Sequence, residues 1–292
     1  MAIDPILYIA LGAGIGLGRF LPHPRPWISH ATVVAIVALV GALGTALSMV
    51  PTNALLGSIP QALLFVAILV ALTLAIEQLW SRAARPAAQR VAVVPRGSPL
   101  RQFWLPPVLI VALVIGFAAG RRQPLPSGEM ISIALYGLLF LVGFDLPLRW
   151  APLRRVAIPT LSCGIGAVAA AVLVSALFGW PIGWTLATSL AFGWYSLSGP
   201  LLAQAAGPTA GLLGFLTNFF RENVTMVGAP FLGARLGGEG LTTLGGATSM
   251  DTTLYFVTRY GDPDAGMLAL MSGLLLTLSA SVLVPLVLAL AR

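Results

Sequence analysis

From Val156 to Phe220 the chain runs for 65 residues without an Asp, Glu, Lys or Arg, and from Pro26 to Ile76 it does the same over 51. Each stretch is long enough for two or more bilayer spans of about 20 residues. With 58% hydrophobic and 9% charged residues overall, the chain has too little polar surface to coat a soluble globule. Strand-like alternation of apolar and polar residues is absent, so the spanning elements are expected to be helices and not a barrel. The fold class that follows is an all-α integral membrane protein.

Apolar stretches fall at about 5–21, 31–50, 58–80, 104–120, 130–148, 157–179, 184–205, 208–233, 241–257 and 266–291. They predict about 8 to 10 membrane-crossing or re-entrant helices. Eight crossings result if both 208–233 and 241–257 are re-entrant, and ten if both cross. The net charge of +7 comes from arginine alone, since the sequence has no lysine. In this setting arginine reports topology and not nucleic-acid binding. Loops one, three and five hold Arg19 and Arg25, then Arg82, Arg85, Arg90, Arg96 and Arg101, then Arg149, Arg154 and Arg155; the even loops hold only Arg121 and Arg122. The positive-inside rule puts the odd loops in the cytoplasm and the N-terminus outside, and an even number of crossings puts Arg292 outside as well. Asp4 and the lack of a basic leader point to a retained first helix.

The Arg- and Pro-rich segment 81–103 reads as a cytoplasmic linker between a first helical unit, 1–80, and a second, 104–180; residues 181–292 follow as the C-terminal segments with the transport site, all within one transporter domain. An offset of 102 residues places Gly14, Gly18 and Gly41 on Gly116, Gly120 and Gly143. Three spans per unit would invert the second copy, making this a candidate inverted repeat of the kind found in secondary transporters. Chance matching of glycine-rich helices is the alternative.

Past residue 180 the apolar pattern breaks. Gly193, Gly199-Pro200 and Gly245-Gly246 interrupt two segments, and irregular backbone at membrane depth is tolerated only where protein or a water-filled cavity surrounds it. Broken helices at a binding site are expected there. On a helix over 208–233, Gly211, Gly214 or Phe215, Asn218, Glu222 and Thr225 share one face, with Arg221 about 100° away. On a helix beginning near Thr248, the residues Thr248, Asp251, Thr252 and Tyr255 form a second stripe. An ionisable residue at membrane depth marks a substrate or proton path by default, which makes Glu222 and Asp251 the leading candidates. Arg221, Asn218, Tyr195, Ser196, Ser198, Thr248 and Ser249 are candidate substrate- or proton-binding neighbours.

Structural readings compete with each of these. Arg221 and Glu222 can be a buried pair, and Thr248-x-x-Asp251 matches a capping box. Trp194 and Tyr195 can be interfacial anchors, while Ser196 and Ser198 can cap freed carbonyls. Cys163 reads as core packing, and His23 and His30 as surface residues. Glu77, Glu129, Glu239, Asp262 and Asp264 fall at segment ends, where a solvated role is expected; Asp145 is a reserve site. No metal-ligand cluster, phosphate-binding loop or dinucleotide fingerprint occurs, so no cofactor or metal is expected. An intramembrane protease lacks its constellation, because Ser198 has no histidine near it in the chain to serve as base.

At Phe192-Gly193-Trp194-Tyr195-Ser196-Leu197-Ser198-Gly199, Arg221-Glu222, Gly246-Ala247-Thr248-Ser249-Met250-Asp251-Thr252-Thr253-Leu254 and Phe140-Leu141-Val142-Gly143, the chain resembles the LysO family of bacterial inner-membrane lysine exporters. The resemblance implies export of L-lysine and its analogues across the inner membrane, an outside N-terminus, and an intramembrane acidic pair at Glu222 and Asp251. Asn218 stands where that pattern has an acidic residue, and Tyr255 where it has proline. Proton-coupled antiport suits such a pair, since a carboxylate withdrawn from water holds a proton more readily. A monovalent cation/proton antiporter would use the same two carboxylates and stands as the alternative.

Overall fold

A computed structural model describes residues 5–20, 26–49, 51–84, 105–123, 125–145 and 151–291, and every described regular element is helical. In chain order these are α1 (Pro5–Gly18), α2 (Pro26–Ser48), α3 (Thr52–Ala84), α4 (Leu105–Arg122), α5 (Ser127–Asp145), α6 (Leu153–Phe178), α7 (Ile182–Ser189), α8 (Tyr195–Ala206), α9 (Pro208–Gly245), a 3-10 turn (Gly246–Met250), α10 (Leu254–Tyr260) and α11 (Ala265–Leu290). Three of them are long and apolar enough to cross a bilayer by length and composition: Thr52–Arg82, Leu153–Phe178 and Ala265–Leu290. The expected linker 81–103 begins inside α3, which continues to Ala84, and the remainder lies outside the described residues, as do His23 and the side chain of Asp145.

The chain divides into two compact units, Met1–Thr52 with Gly97–Leu148 and Asn53–Arg96 with Arg149–Arg292. In the first, α1 packs on α5 and α2 on α4 and α5. Glycine makes these approaches close. A Cβ at Gly14 would strike the Phe140 carbonyl, one at Gly18 that of Phe144, and one at Gly116 that of Gly41. Small residues let helix backbones meet where apolar lipid supplies no drive for association. Gly143 of α5 lies against Leu11 of α1, and Gly41 and Gly44 of α2 lie against Ala112 and Leu113 of α4. Arg121 donates to Thr52 Oγ1 at 2.8 Å at the end of this bundle.

The second unit is built differently. Its α6 starts at Leu153, ends at Gly179 in the left-handed conformation (φ 66) and packs on α7, α9 and α11. Thr73 of α3 fills the notch left by Gly166 of α6. The helices α7 and α8 form one hairpin, broken over residues 190–194, and the part of α9 beyond Gly237 forms a second with the 3-10 turn and α10. At Gly237 the backbone leaves helical geometry (φ 65, ψ −169), a conformation glycine reaches without a Cβ clash, and this kink separates the segments 208–233 and 241–257 that the sequence shows as two.

The two hairpins open at opposite ends of this unit. Gly183, at the mouth of the first, lies against Ala291 beyond the end of α11, whereas Gly238 and Gly261, at the mouth of the second, lie against Ala265 at its start. Helix α9 passes both: Gly211 meets Ala203 of the first hairpin, and Gly233 meets Tyr260 of the second. Segments 184–205 and 241–257 are therefore the hairpins, and 208–233 runs through without folding back, which differs from the pairing of re-entrant segments expected for eight crossings. Among the described residues of this unit, then, two hairpins fold back while α6 and α11 are long and apolar enough to cross a bilayer.

A charged cluster clamps the mouth of the second hairpin. Arg155 Nε meets Glu239 Oε1 at 2.8 Å, its Nη2 meets Asp262 Oδ2 at 2.8 Å and its Nη1 lies 3.5 Å from Asp264. Ser81 Oγ joins Glu77 and Glu239, at 2.5 and 3.1 Å. Glu77 and Glu239 are 1% and 2% exposed, which corrects the expectation of solvated roles for them. Tertiary packing buries both ends of this network, and position in a hydropathy profile carries no sign of it.

Candidate functional site

The tips of the two hairpins meet. Between them the Ala247 N–H donates to Phe192 O at 2.9 Å. Phe192 has φ 53 and is the one non-glycine residue with positive φ among the described residues; Gly193 (φ 105) and Gly246 (φ 67) flank the contact. A Cβ at Gly246 would collide with Phe192 O and come within 2.8 Å of Arg221 Nη2. Holding Phe192 in the left-handed region costs about 1 kcal/mol or more, and buried strain of that kind persists only when surrounding contacts enforce it.

Helix α9 supplies those contacts from two buried side chains three residues apart. Asn218 Oδ1 accepts from the Gly193 N–H at 2.7 Å, and its Nδ2 donates to Thr188 O, Gly214 O and Ser198 Oγ at 3.0, 2.9 and 3.1 Å. Ser198 Oγ in turn donates to Gly214 O at 3.1 Å. An Asn can donate and accept at once, as this broken tip requires, whereas a carboxylate would face two carbonyl oxygens. That accounts for Asn218 where the resemblance led one to expect an acid. Arg221 serves the second tip, donating from Nε to Leu244 O at 3.1 Å and from Nη2 to Thr243 O at 2.8 Å and Cys163 Sγ at 3.4 Å. Cys163 Sγ donates onward to Thr243 O at 3.4 Å.

Glu222 stands beside these two and pins nothing. It is 0% exposed, and neither carboxylate oxygen is held in hydrogen-bond geometry by a protein group, the Thr252 hydroxyl being the nearest donor. Thr252 and the Asp251 carboxyl are its polar neighbours. Asp251 is half-buried, its Oδ1 accepting from the Thr252 N–H and, at 3.2 Å, from Thr252 Oγ1. Tyr195 reaches this corner from the first hairpin, close enough to interact electrostatically with both acids, its ring edge-on to Phe215 and Phe219 of α9 with centroids 5.3 and 5.9 Å away. A buried, unpartnered carboxyl is expensive in any protein interior.

The other candidates sort themselves plainly. Ser198 is part of the first tip's scaffolding. Ser196 is exposed and accepts from Trp194 Nε1 at 2.9 Å, away from the acids. Thr248 Oγ1 donates to Gly245 O at 3.0 Å and lies 3.3 Å from Thr253 Oγ1, while Ser249 Oγ donates to Gly246 O and Ala269 O at 2.6 and 3.1 Å. Both brace the second tip. The capping box does not form: α10 starts at Leu254, after Thr253, and neither Thr248 nor Asp251 bonds its first turn through a side chain. Residues 246–250 are a 3-10 turn and 251–253 a further turn, so Thr248, Asp251, Thr252 and Tyr255 do not share a continuous α-helical stripe. Arg221 and Glu222 make no ion pair with each other, which removes the structural-pair reading.

Sequence reasoning missed Cys163, read as core packing, as a neighbour of Arg221. Cys163 has no local signal, because only the packing of α6 against the second tip brings its thiol to Arg221. Among the described residues no group of three or more His, Cys, Asp or Glu could hold a metal ion.

Comparison with known proteins places this geometry in context. The sequence profile described as lysine exporter LysO matches residues 109–288. The lysine exporter LysO of Escherichia coli (strain K12) is 35% identical over 186 residues, 59% of this chain and 60% of that protein, so the match spans less than two thirds of the relative's length. A Haemophilus influenzae (strain Rd) protein, provisionally named as a lysine exporter, is 30% identical over 180 residues, 58% of this chain and 89% of its own. No solved structure matches the fold.

Proposed function

The chain belongs to the LysO lysine exporter family, and from that premise we propose that it is a secondary active exporter of L-lysine and related cationic amino acids, moving them across the bacterial inner membrane in exchange for protons. The observation that carries the reading is the Glu222 carboxyl, buried at the meeting of two broken hairpins with both oxygens unpartnered and Asp251 beside it. Paired acids beside freed backbone offer a cation its charge and hydrogen-bond partners together. Opposed hairpins with touching tips are also a natural barrier, since separating either tip opens the site to one end of the unit.

Energetics require coupling. Lysine leaves as a net cation against an inside-negative potential, which opposes it by about 2.3 kcal/mol per 100 mV. If Glu222 or Asp251 carries a proton inward whenever the substrate is absent, one-for-one exchange is nearly electroneutral and the potential no longer opposes export. In this reading both termini lie outside, and the mouth of the second hairpin, near Arg154 and Arg155, faces the cytoplasm. The lipid bilayer is the only other partner the reading needs; nucleic acid has no part in it.

The test is labelled L-lysine uptake by everted membrane vesicles with an acidified lumen, comparing the parent with Glu222→Gln and Asp251→Asn. Gradient-driven uptake that both substitutions abolish supports the reading. Proton movement driven by sodium or potassium, with no lysine flux, would transfer the same two carboxylates to a monovalent cation/proton antiporter.

A further inference from the structure

Arg221 carries a charge that the protein does not answer. Its side chain is 0% exposed, and its protein partners are two carbonyl oxygens and a thiol, all taken by Nε and Nη2. The remaining donor group, Nη1, is buried without a partner, and no carboxylate pairs with the guanidinium among the described residues. A desolvated, unpaired arginine is costly to hold in a protein interior. Fixing carbonyls at a broken helix does not require it, because Asn218 does the same work for the first tip with a neutral amide.

Place and chemistry then coincide. Arg221 and Glu222 are consecutive on α9 and so lie at nearly the same depth, about 100° apart. Both meet the second tip: Arg221 touches it at Thr243, Leu244 and Gly246, and Glu222 lies beside its Thr252 and Asp251. Gly246 is what brings the chain onto the guanidinium, as a Cβ there would approach Cζ to 2.9 Å. The site thus holds one fixed cation and two carboxyls. A dibasic amino acid is the reverse, with two ammonium groups and one carboxylate.

We propose that Arg221 Nη1 receives the α-carboxylate of the substrate, while Glu222 and Asp251 receive its ammonium groups. The site then selects a dibasic amino acid and not simply an organic cation. The proposal rests on the reading of the chain as a lysine exporter. It adds that the carboxylate is read, by a residue whose other two nitrogens hold the second hairpin, so that substrate binding and the position of that tip are linked through one guanidinium.

Calorimetry on the purified parent would compare L-lysine with L-lysinamide and 1,5-diaminopentane, which keep two amines and lack the carboxylate. Lysine should bind at least about 10-fold more tightly than either, the scale of one charge-assisted hydrogen-bonded contact. In Arg221→Lys, which keeps the charge and loses the planar fork, the preference should shrink toward unity. Equal binding of all three ligands by the parent, or full preference retained by the variant, overturns the proposal. Because Arg221 also supports the fold, a second measurement uses the parent alone: carboxyl-13C lysine bound to protein labelled at its guanidino nitrogens should give a carbon–nitrogen distance under about 5 Å by solid-state NMR. Absence of that coupling in a lysine-loaded sample overturns it equally. Failure of lysine to bind in any arm would instead count against the exporter reading on which this rests.

Discussion

The two hairpin tips solve the same problem with different chemistry. Each is a helix broken deep in an apolar unit, and each leaves backbone groups that only a side chain can satisfy. The first tip is closed by neutral groups, Asn218 and Ser198, which leave nothing charged behind. The second is held by a charged Arg221, carries Asp251 in its own bend, faces an unpartnered Glu222, and is clamped at its mouth by Arg155. The difference is one of chemistry: the first tip is closed by neutral hydrogen bonds, and the second gathers the titratable and cationic groups.

That contrast is open to challenge by substitution. The largest effect is expected at Glu222→Gln, which should abolish lysine flux in vesicles while changing thermal stability by under about 1 kcal/mol, since neither oxygen has a protein partner to lose. A large stability loss there would mean that Glu222 is structural after all. Next, Asn218→Leu should destabilise the protein by about 2 to 4 kcal/mol, by stripping partners from the Gly193 N–H and the Thr188 carbonyl. Its flux and its melting temperature should fall together, unlike the Glu222 variant.

At the mouth of the second hairpin, Arg155→Gln should cost about 2 to 3 kcal/mol by leaving Glu239 without its 2.8 Å ion pair, read by chemical or thermal unfolding in detergent. A smaller loss, about 0.5 to 1.5 kcal/mol, is expected for Ser198→Ala, because the Gly214 carbonyl keeps its bond from Asn218. Finally Ser196→Ala, on the exposed side of the same tip, should leave both flux and stability unchanged within about 0.5 kcal/mol. A flux defect from Ser196→Ala would move the substrate path to the outer face of the first hairpin and undo the division drawn here.

Much of this was legible in the residues. Long charge-free runs dictated membrane helices, because nothing else satisfies backbone groups without water. The glycine interruptions near 193 and 245 marked the breaks, and an acid at 222 within apolar sequence marked a candidate site by its cost alone. Where reasoning from local pattern erred, the cause was hydrogen bonding that a helical pattern does not show. Thr248 to Asp251 looked like the start of a helix; the turn there is instead held by Gly245, Thr253 and Ala269. Glu77 and Glu239, 162 positions apart in the numbering of the chain, looked solvated until Ser81 and Arg155 drew them into one buried network.

By itself, then, the sequence determined a helical membrane protein with interrupted segments and an acid at membrane depth, since hydropathy, glycine and charge act through the local transfer of groups out of water. Only the tertiary structure decided which segment folds back, that the two tips meet at Phe192 and Ala247, and that Asn218, Arg221 and Glu222, neighbours on one helix, divide into a neutral brace, a charged brace and a free carboxyl. Those outcomes depend on which backbone groups other helices leave unsatisfied beside each side chain, and no window of sequence contains that information.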